Sequence, residues 1–305
     1  MKGARVSSRS VELTALIPSD EEYEKYISRT INGKWDLDIL EYARGTKHNV
    51  LLFGPTGSAK TTAARAYAAR EKLPFYSVPC NGAIEPSQLF GKWVPTEEAG
   101  RLEWMDGPVT KLVRDGGVLL VDEVNFATSA FLSVLHPLLD ARRTLALLDH
   151  EGEVILAHPE FQVIAAYNPR YRGTRPLNEA FLNRFAIKLP FPYLPEVEKE
   201  LIQIAPTLID VATQLRRSQE AGELNTPIST NMLMEFEDFA ADLGYAWASE
   251  NFLSAFQPEE RGAVKNVLEL HQDELIREFQ VVDATVENYD DDFAEIAKDE
   301  ESDNG

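Results

Sequence analysis

The sequence predicts an α/β fold, a mostly parallel sheet with helices on both faces, joined to a smaller domain that is wholly helical. Three observations carry this. Five short apolar runs, Asn49–Phe53, Phe75–Cys80, Val118–Val124, Phe161–Tyr167 and Ala186–Leu189, have the length and composition of strands, and parallel strands buried on both faces read as continuous apolar runs. Helical stretches such as Thr61–Lys72 and Ser129–Leu139 separate the runs, the alternation expected of a covered parallel sheet. Pro190, Pro192 and Pro195 then interrupt any helix or central strand, and the chain beyond them reads helical.

In chain order, residues 1–20 lack a clear period and read as an N-terminal arm. Glu21–Ala43 looks helical and leads into the first strand. The α/β domain is expected over 21–190 and the helical lid over 191–280. From Val281 onward ten Asp or Glu face one Lys, too little apolar surface to offset chain entropy, so 281–305 is expected to be an acidic disordered tail.

A chain of 305 residues is long enough for two cores. Lys and Arg total 30 against 50 Asp and Glu, a net charge of -20, which on average repels phosphate backbones and argues against nucleic acid as the client. The lone Cys80 cannot form an internal disulfide. No leader pattern opens the chain and no apolar run approaches a bilayer span. The expectation is a cytoplasmic protein with no membrane partner.

Gly54-Pro55-Thr56-Gly57-Ser58-Ala59-Lys60-Thr61-Thr62 lies between an apolar strand and an Ala-rich helix, the context of a phosphate-binding loop. Gly54 and Gly57 let successive N–H groups converge on an anion at the helix N-terminus. Lys60 would reach the β- and γ-phosphates and the Thr61 hydroxyl would ligate Mg²⁺. The pattern's usual second glycine is Ala59, expected to tolerate its Cβ in near-helical dihedrals. A glycine-rich turn before a helix is the bland alternative.

Val118–Val121 runs into Asp122 and Glu123, two carboxylates where a buried strand emerges at the edge that binds ligands in open α/β sheets. Asp122 would hold Mg²⁺ through its water shell, and Glu123 would orient and deprotonate the attacking water. The run Phe161–Tyr167 ends in Asn168-Pro169, which places an amide at the same edge to hold the attacking water or a γ-phosphate oxygen, though taken alone the pair reads first as a turn-forming Asn before Pro. Asn178–Phe185 reads as a short helix with Arg184 near its end. Arg184 either compensates its helix C-terminus or completes a neighbouring subunit's site in trans.

Together these motifs resemble the MoxR branch of the AAA+ ATPases, and within it the group that includes the CbbQ and NorQ activators. The resemblance covers roughly Val50 to Met234 and includes Asp106-Gly107-Pro108-Val109-Thr110, His136-Pro137-Leu138-Leu139-Asp140 with Arg142-Arg143, Gly152-Glu153-Val154, Ala157-His158-Pro159-Glu160-Phe161 and Tyr167-Asn168-Pro169. It implies the AAA+ strand order, a helical lid, ATP with Mg²⁺, a hexameric ring, and a motor that remodels or activates a protein client, commonly with a von Willebrand A-domain partner. A metal-chelatase motor subunit and an ATP-gated scaffold with little turnover are the rival readings.

Thr144–Ala157, broken at Asp149-His150-Glu151-Gly152, reads as a hairpin that faces either a client or solvent. Trp93 and Trp104 come after Pro86–Gly91 in a second insertion, as gripping residues or as core. Departures from the family pattern are Asn231, where relatives carry the lid arginine, and Phe126, where many carry arginine after Asn125. Arg142 and Arg143 either face a neighbour's nucleotide or form a solvated helix end. Cys80 is expected to be inert packing.

Overall fold

The computed structural model describes residues 13–80, 85–96, 100–169 and 177–280. The expected tail at 281–305 and most of the expected N-terminal arm lie outside them. The chain divides after Pro192 into two compact units.

The first unit opens with α1 (Asp20–Glu24), the two-residue strands β1 (Thr30–Ile31) and β2 (Lys34–Trp35), and α2 (Asp36–Gly45). The single helix expected over Glu21–Ala43 is therefore not formed. Asn32 and Gly33 adopt φ of 51° and 75°, and β1 and β2 pair antiparallel about them. An Asn-Gly pair with both φ positive favours a tight hairpin turn over a helix.

Five parallel strands form the sheet: β3 (Val50–Phe53), β4 (Phe75–Pro79), β7 (Gly117–Asp122), β10 (Phe161–Tyr167) and β11 (Ile187–Pro190), in the spatial order β11-β3-β10-β7-β4. The register sets Ala165 beside both Leu51 and Val121, so β10 lies between β3 and β7. The two faces separate by the two-residue period of a strand. Val50, Leu52, Val118, Leu120, Ile164 and Ala166 pack on one side with α2 and α3 (Lys60–Arg70). Leu51, Leu119, Val121, Val163 and Ala165 pack on the other, with α5 (Pro108–Asp115) and α6 (Ser129–Leu139). Helix α3 buries Ala63, Ala64, Ala66, Ala68 and Ala69, small side chains that let its backbone lie close to its neighbours.

Two antiparallel hairpins interrupt the α/β alternation. The first comes after α4 (Pro86–Phe90) and pairs β5 (Gly91–Pro95) with β6 (Leu102–Asp106), setting Trp93 opposite Trp104. The second pairs β8 (Thr144–Leu147) with β9 (Glu153–Leu156). Helix α7 (Glu179–Leu182) precedes β11, capped by the Asn178 side chain accepting from the N–H of Phe181.

The second unit is helical throughout its described residues: α8 (Pro195–Leu201), α9 (Thr207–Glu220), α10 (Thr230–Leu243), α11 (Tyr245–Ser254) and α12 (residues 261–280). Its core gathers Leu208, Leu215, Leu233, Phe236, Phe252, Phe256 and Leu268. Arg216 donates two hydrogen bonds, at 2.6 and 2.8 Å, to the buried Glu198, which also accepts from the Thr230 hydroxyl at 2.7 Å. These bonds tie α8, α9 and α10 together. Among the described residues no helix is long and apolar enough to cross a membrane.

Candidate nucleotide site

The spatial order of the strands brings the ends of β3, β10 and β7 side by side, and the candidate residues sit directly on those ends. Gly54 N–H donates to Tyr167 O at 3.2 Å, so the loop after β3 starts against the end of β10. A Cβ on Gly54 would lie 2.1 Å from Phe191 O, so only glycine fits where the chain after β11 crosses.

The loop closes on itself through Lys60, whose Nζ donates to Gly54 O at 3.0 Å and Pro55 O at 2.6 Å. The Ser58 hydroxyl also donates to Pro55 O, at 2.9 Å. Lys60 is buried, and burial pushes its ammonium down to about 8, against the pull of Asp122 and Glu123 and with a further push from the Arg29 charge. Thr56, Thr61 and Thr62 are exposed. Gly57 has φ of 68°.

Ala59 departs from expectation. It has φ 67° and ψ 25°, the left-handed region rather than near-helical dihedrals. The loop needs that conformation to turn its N–H groups inward before the helix begins, and the Cβ makes it strained.

Thr61 Oγ1 donates to Asp122 Oδ2 at 2.6 Å, joining the first turn of α3 to the end of β7. The other carboxylate oxygen of Asp122 accepts from Glu123 N–H at 2.9 Å. The strand stops at Asp122, and Glu123 turns to φ 51°, ψ 43° before the 3₁₀ turn Val124–Phe126, so the expected strand over Val118–Val124 ends two residues early. The left-handed turn leaves the Glu123 side chain exposed at the sheet edge. Asn168 Nδ2 donates to Thr56 Oγ1 at 3.2 Å, which places its amide against the loop after β3.

Arg184 is not brought to this cluster among the described contacts. Its guanidinium donates to Ala180 O within its own helical turn, and its carbonyl accepts from Asn49 Nδ2 at 3.1 Å. Its charge, after burial, helps hold His136 below the usual histidine range. Arg142 pairs with Asp140 at 2.6 Å in solvent. Arg143 turns inward to His158 O and Phe161 O at 3.2 and 2.7 Å. Asn231 is exposed in the first turn of α10. Cys80 is buried and burial pushes its thiol up to about 12, a state with little thiolate at neutral pH.

Two residues near the site carried no functional signal in the sequence. Asn125 is buried and donates to Asn168 O at 3.3 Å, bracing the backbone at Asn168. Arg29 is buried and donates to Ser58 O at 3.1 Å. Its role depends on a contact that reaches across α2 and β3, which no local spacing reveals.

The arrangement suits a magnesium nucleotide. Among the described residues no group of three or more His, Cys, Asp or Glu could hold a metal. The hydroxyl and carboxylate of Thr61 and Asp122 lie within 2.6 Å, and Mg²⁺ is commonly held by one or two such oxygens plus water and substrate phosphates.

Residues 49–185 match the family described as AAA domain (dynein-related subfamily). The chain is 34% identical over 239 residues to an uncharacterized protein of Staphylococcus haemolyticus, covering 73% of this chain and 90% of that one. It is 34% identical over 209 residues to Protein CbbQ of Hydrogenophilus thermoluteolus, covering 65% and 76%. Among solved structures, NtrX from Brucella abortus in complex with ADP aligns at 18% identity with a TM-score of 0.43, over 82% of this chain and 52% of that one.

Proposed function

Because the chain belongs to the AAA domain (dynein-related subfamily) family of AAA+ ATPases, in the MoxR-type group that contains CbbQ, we propose that it hydrolyses ATP with Mg²⁺ and uses the cycle to remodel or activate a protein client. The observation that carries the chemistry is the 2.6 Å contact between Thr61 and Asp122, with Lys60 and Glu123 their chain neighbours and Asn168 bonded to Thr56 of the same loop. Lys60 would exchange its loop carbonyls for β- and γ-phosphate oxygens. Thr61 and Asp122 would hold Mg²⁺, which supplies charge neutralisation at those oxygens. Glu123 would take the proton of the attacking water and Asn168 would hold that water or a γ-oxygen in place. Gly54 through Thr62 supply the backbone cradle.

A protein client draws support from the hairpins. Leu148, Val154 and Leu156 on the β8–β9 hairpin are 82%, 65% and 72% exposed, and clustered exposed apolar side chains mark interaction surfaces. A hexameric ring, a von Willebrand A-domain adaptor and a cytoplasmic location belong to the same proposal and draw on the family resemblance. With no lid arginine at Asn231, an ATP-gated scaffold of low turnover is the competing outcome.

Steady-state phosphate release tests the reading. Glu123→Gln should keep ATP binding and lower turnover by about 100-fold or more, because an amide cannot accept the water's proton. Turnover within about twofold of wild type would remove Glu123 as the base, and a wild-type protein that binds ATP without releasing phosphate would favour the scaffold.

A further inference from the structure

Arg29 is a buried cation that the proposed chemistry does not use. It is 5% exposed, and it lies before β1, well outside the phosphate loop in sequence. One end of its guanidinium donates to Ser58 O at 3.1 Å and the other to Pro192 O at 3.1 Å. Its central carbon lies 4.5 Å from the ring centre of Phe191. Phe191 is the residue whose carbonyl crowds Gly54, so Arg29 and the chain after β11 hold the phosphate loop from both ends.

A chain of hydrogen bonds continues from this contact into the loop. Ser58, whose carbonyl takes Arg29, gives its hydroxyl to Pro55 O, and Pro55 O is also the 2.6 Å acceptor of Lys60. Among the described residues the guanidinium donates to these two carbonyls and to no carboxylate. The nearby Asp36 is fully buried and the guanidinium charge acts on it and on the Tyr26 hydroxyl, but Asp36 commits its oxygens to that hydroxyl and to the N–H groups of Leu37 and Arg29 rather than to the guanidinium. The buried Nε of Arg29 has no acceptor.

Burying a cation without a bonded counter-ion is costly. In a protein of net charge -20 a carboxylate would be an easy partner to recruit. The cost is offset if an anion arrives, and the polyphosphate of a nucleotide is the anion this loop is shaped to take. The guanidinium charge reaches the loop's centre, since it is among the influences that push the Lys60 ammonium down.

We infer that Arg29 is a second cationic determinant of the phosphate site, a positioning residue that fixes the loop at Ser58 and adds its charge to that of Lys60 in attracting a nucleoside di- or triphosphate. The inference rests on the nucleotide reading above. Its particular consequence is a dependence on the number of phosphates. Charge and loop position matter to ADP and ATP, whereas AMP does not reach the loop's centre.

The test is a competition titration of the full chain with ATP, ADP and AMP against a fluorescent ADP, for wild type, Arg29→Met, Arg29→Lys and Lys60→Ala, with melting curves taken without nucleotide. Arg29→Met should weaken ATP and ADP about tenfold and AMP less than about twofold, and Arg29→Lys should recover about a third or more of the loss on a logarithmic scale. At saturating ATP, kcat should fall less than about threefold, because the loss is one of binding. Equal weakening of AMP and ATP, or Arg29→Lys as weak as Arg29→Met, would assign Arg29 to packing alone and overturn the inference. So would ATP affinity within twofold of wild type in Arg29→Met while Lys60→Ala loses binding. Undiminished binding by Lys60→Ala would instead remove the phosphate-loop reading itself. Should Arg29→Met fail to fold, Arg29→Gln, which keeps a donor for Ser58 O without the charge, decides on the same criteria.

Discussion

Two residues at the candidate site hold left-handed backbone with a side chain attached, Ala59 at φ 67° and Glu123 at φ 51°. Strain of this kind persists where the surroundings over-determine it, and it clusters where function needs a particular direction. For Glu123 the turn aims the carboxylate out of the sheet edge. For Ala59 only the backbone matters, so the side chain is dispensable. Ala59→Gly should remove about 1 kcal/mol of strain and return about half of it as unfolded-chain entropy, raising Tm by about 1 to 2 °C with nucleotide affinity kept. A lower Tm would mean that the methyl group packs usefully and that the strain is smaller than the dihedrals imply. The contrast with Arg29 shows what a sequence makes legible at this scale. Gly54, Lys60, Thr61 and Asp122 are readable because a strand end and a helix start fix their positions within a few residues. Arg29 meets Ser58 across 29 positions, and nothing in its own segment announces the contact. The Ala59 conformation was hidden for a related reason, since a helix N-terminus in sequence does not show whether the residue before it is helical or left-handed.

At the scale of elements, the strands were legible because each is a short, mostly apolar run, the inner three β3, β7 and β10 buried on both faces, and their ends fall within two residues of the apolar boundaries. The hairpin at Asn32-Gly33 was not, because the helical pattern on either side overrode a turn signal of two residues. The contact between the two insertion hairpins was also hidden. His150 stacks on Trp104 at 4.7 Å, Trp93 meets both rings edge-on, and Trp93 Nε1 donates to Asp149 O at 2.9 Å. Arg114 on α5 completes the link with two bonds to Glu153, at 2.6 and 2.7 Å, and one to Asp106, at 2.9 Å. Aromatics read alternatively as gripping or core residues thus clasp one hairpin to the other. The bonds from Arg114, then the weaker hydrogen bond of His150, hold the Glu153 carboxyl down at about 2, from an ordinary 4.5. A depressed carboxylate stabilises the fold above its unfolded value and loses that contribution as pH falls towards the folded one. Glu153 is 34% exposed, so after screening Glu153→Gln should cost only about 1 kcal/mol at pH 7. The gap from wild type in urea unfolding should shrink as pH falls from 5 towards 2, because Glu153 of the unfolded chain takes up its proton near the ordinary value while the folded carboxylate stays ionised until about 2. A gap of constant size across that range would show that the ion pair is not its source.

For the whole molecule the question is how many subunits one site needs. Lys60, Thr61, Asp122, Glu123 and Asn168 all stand on the phosphate loop or on the ends of neighbouring strands, so they approach a nucleotide from one side of the sheet edge. Negative charge develops on the opposite side of the γ-phosphate during transfer, and a cation there is worth several orders of magnitude in rate. Arg184 is the candidate. Its guanidinium rests on Ala180 O and makes no described contact with its own cluster, so the proposal places it in the next subunit's site. Hydrolysis should therefore require a closed head-to-tail ring, with six members as the family resemblance implies. Turnover per subunit should rise steeply with protein concentration, and Arg184→Ala should lose about 100-fold or more in kcat with nucleotide affinity nearly unchanged. Mixing Arg184→Ala with Glu123→Gln should restore part of the activity, because an intact Glu123 on one subunit then meets an intact Arg184 on the other. A monomer that turns over at a rate independent of concentration, or an inactive pair that stays inactive when mixed into demonstrable mixed rings, would show instead that each chain completes its own site.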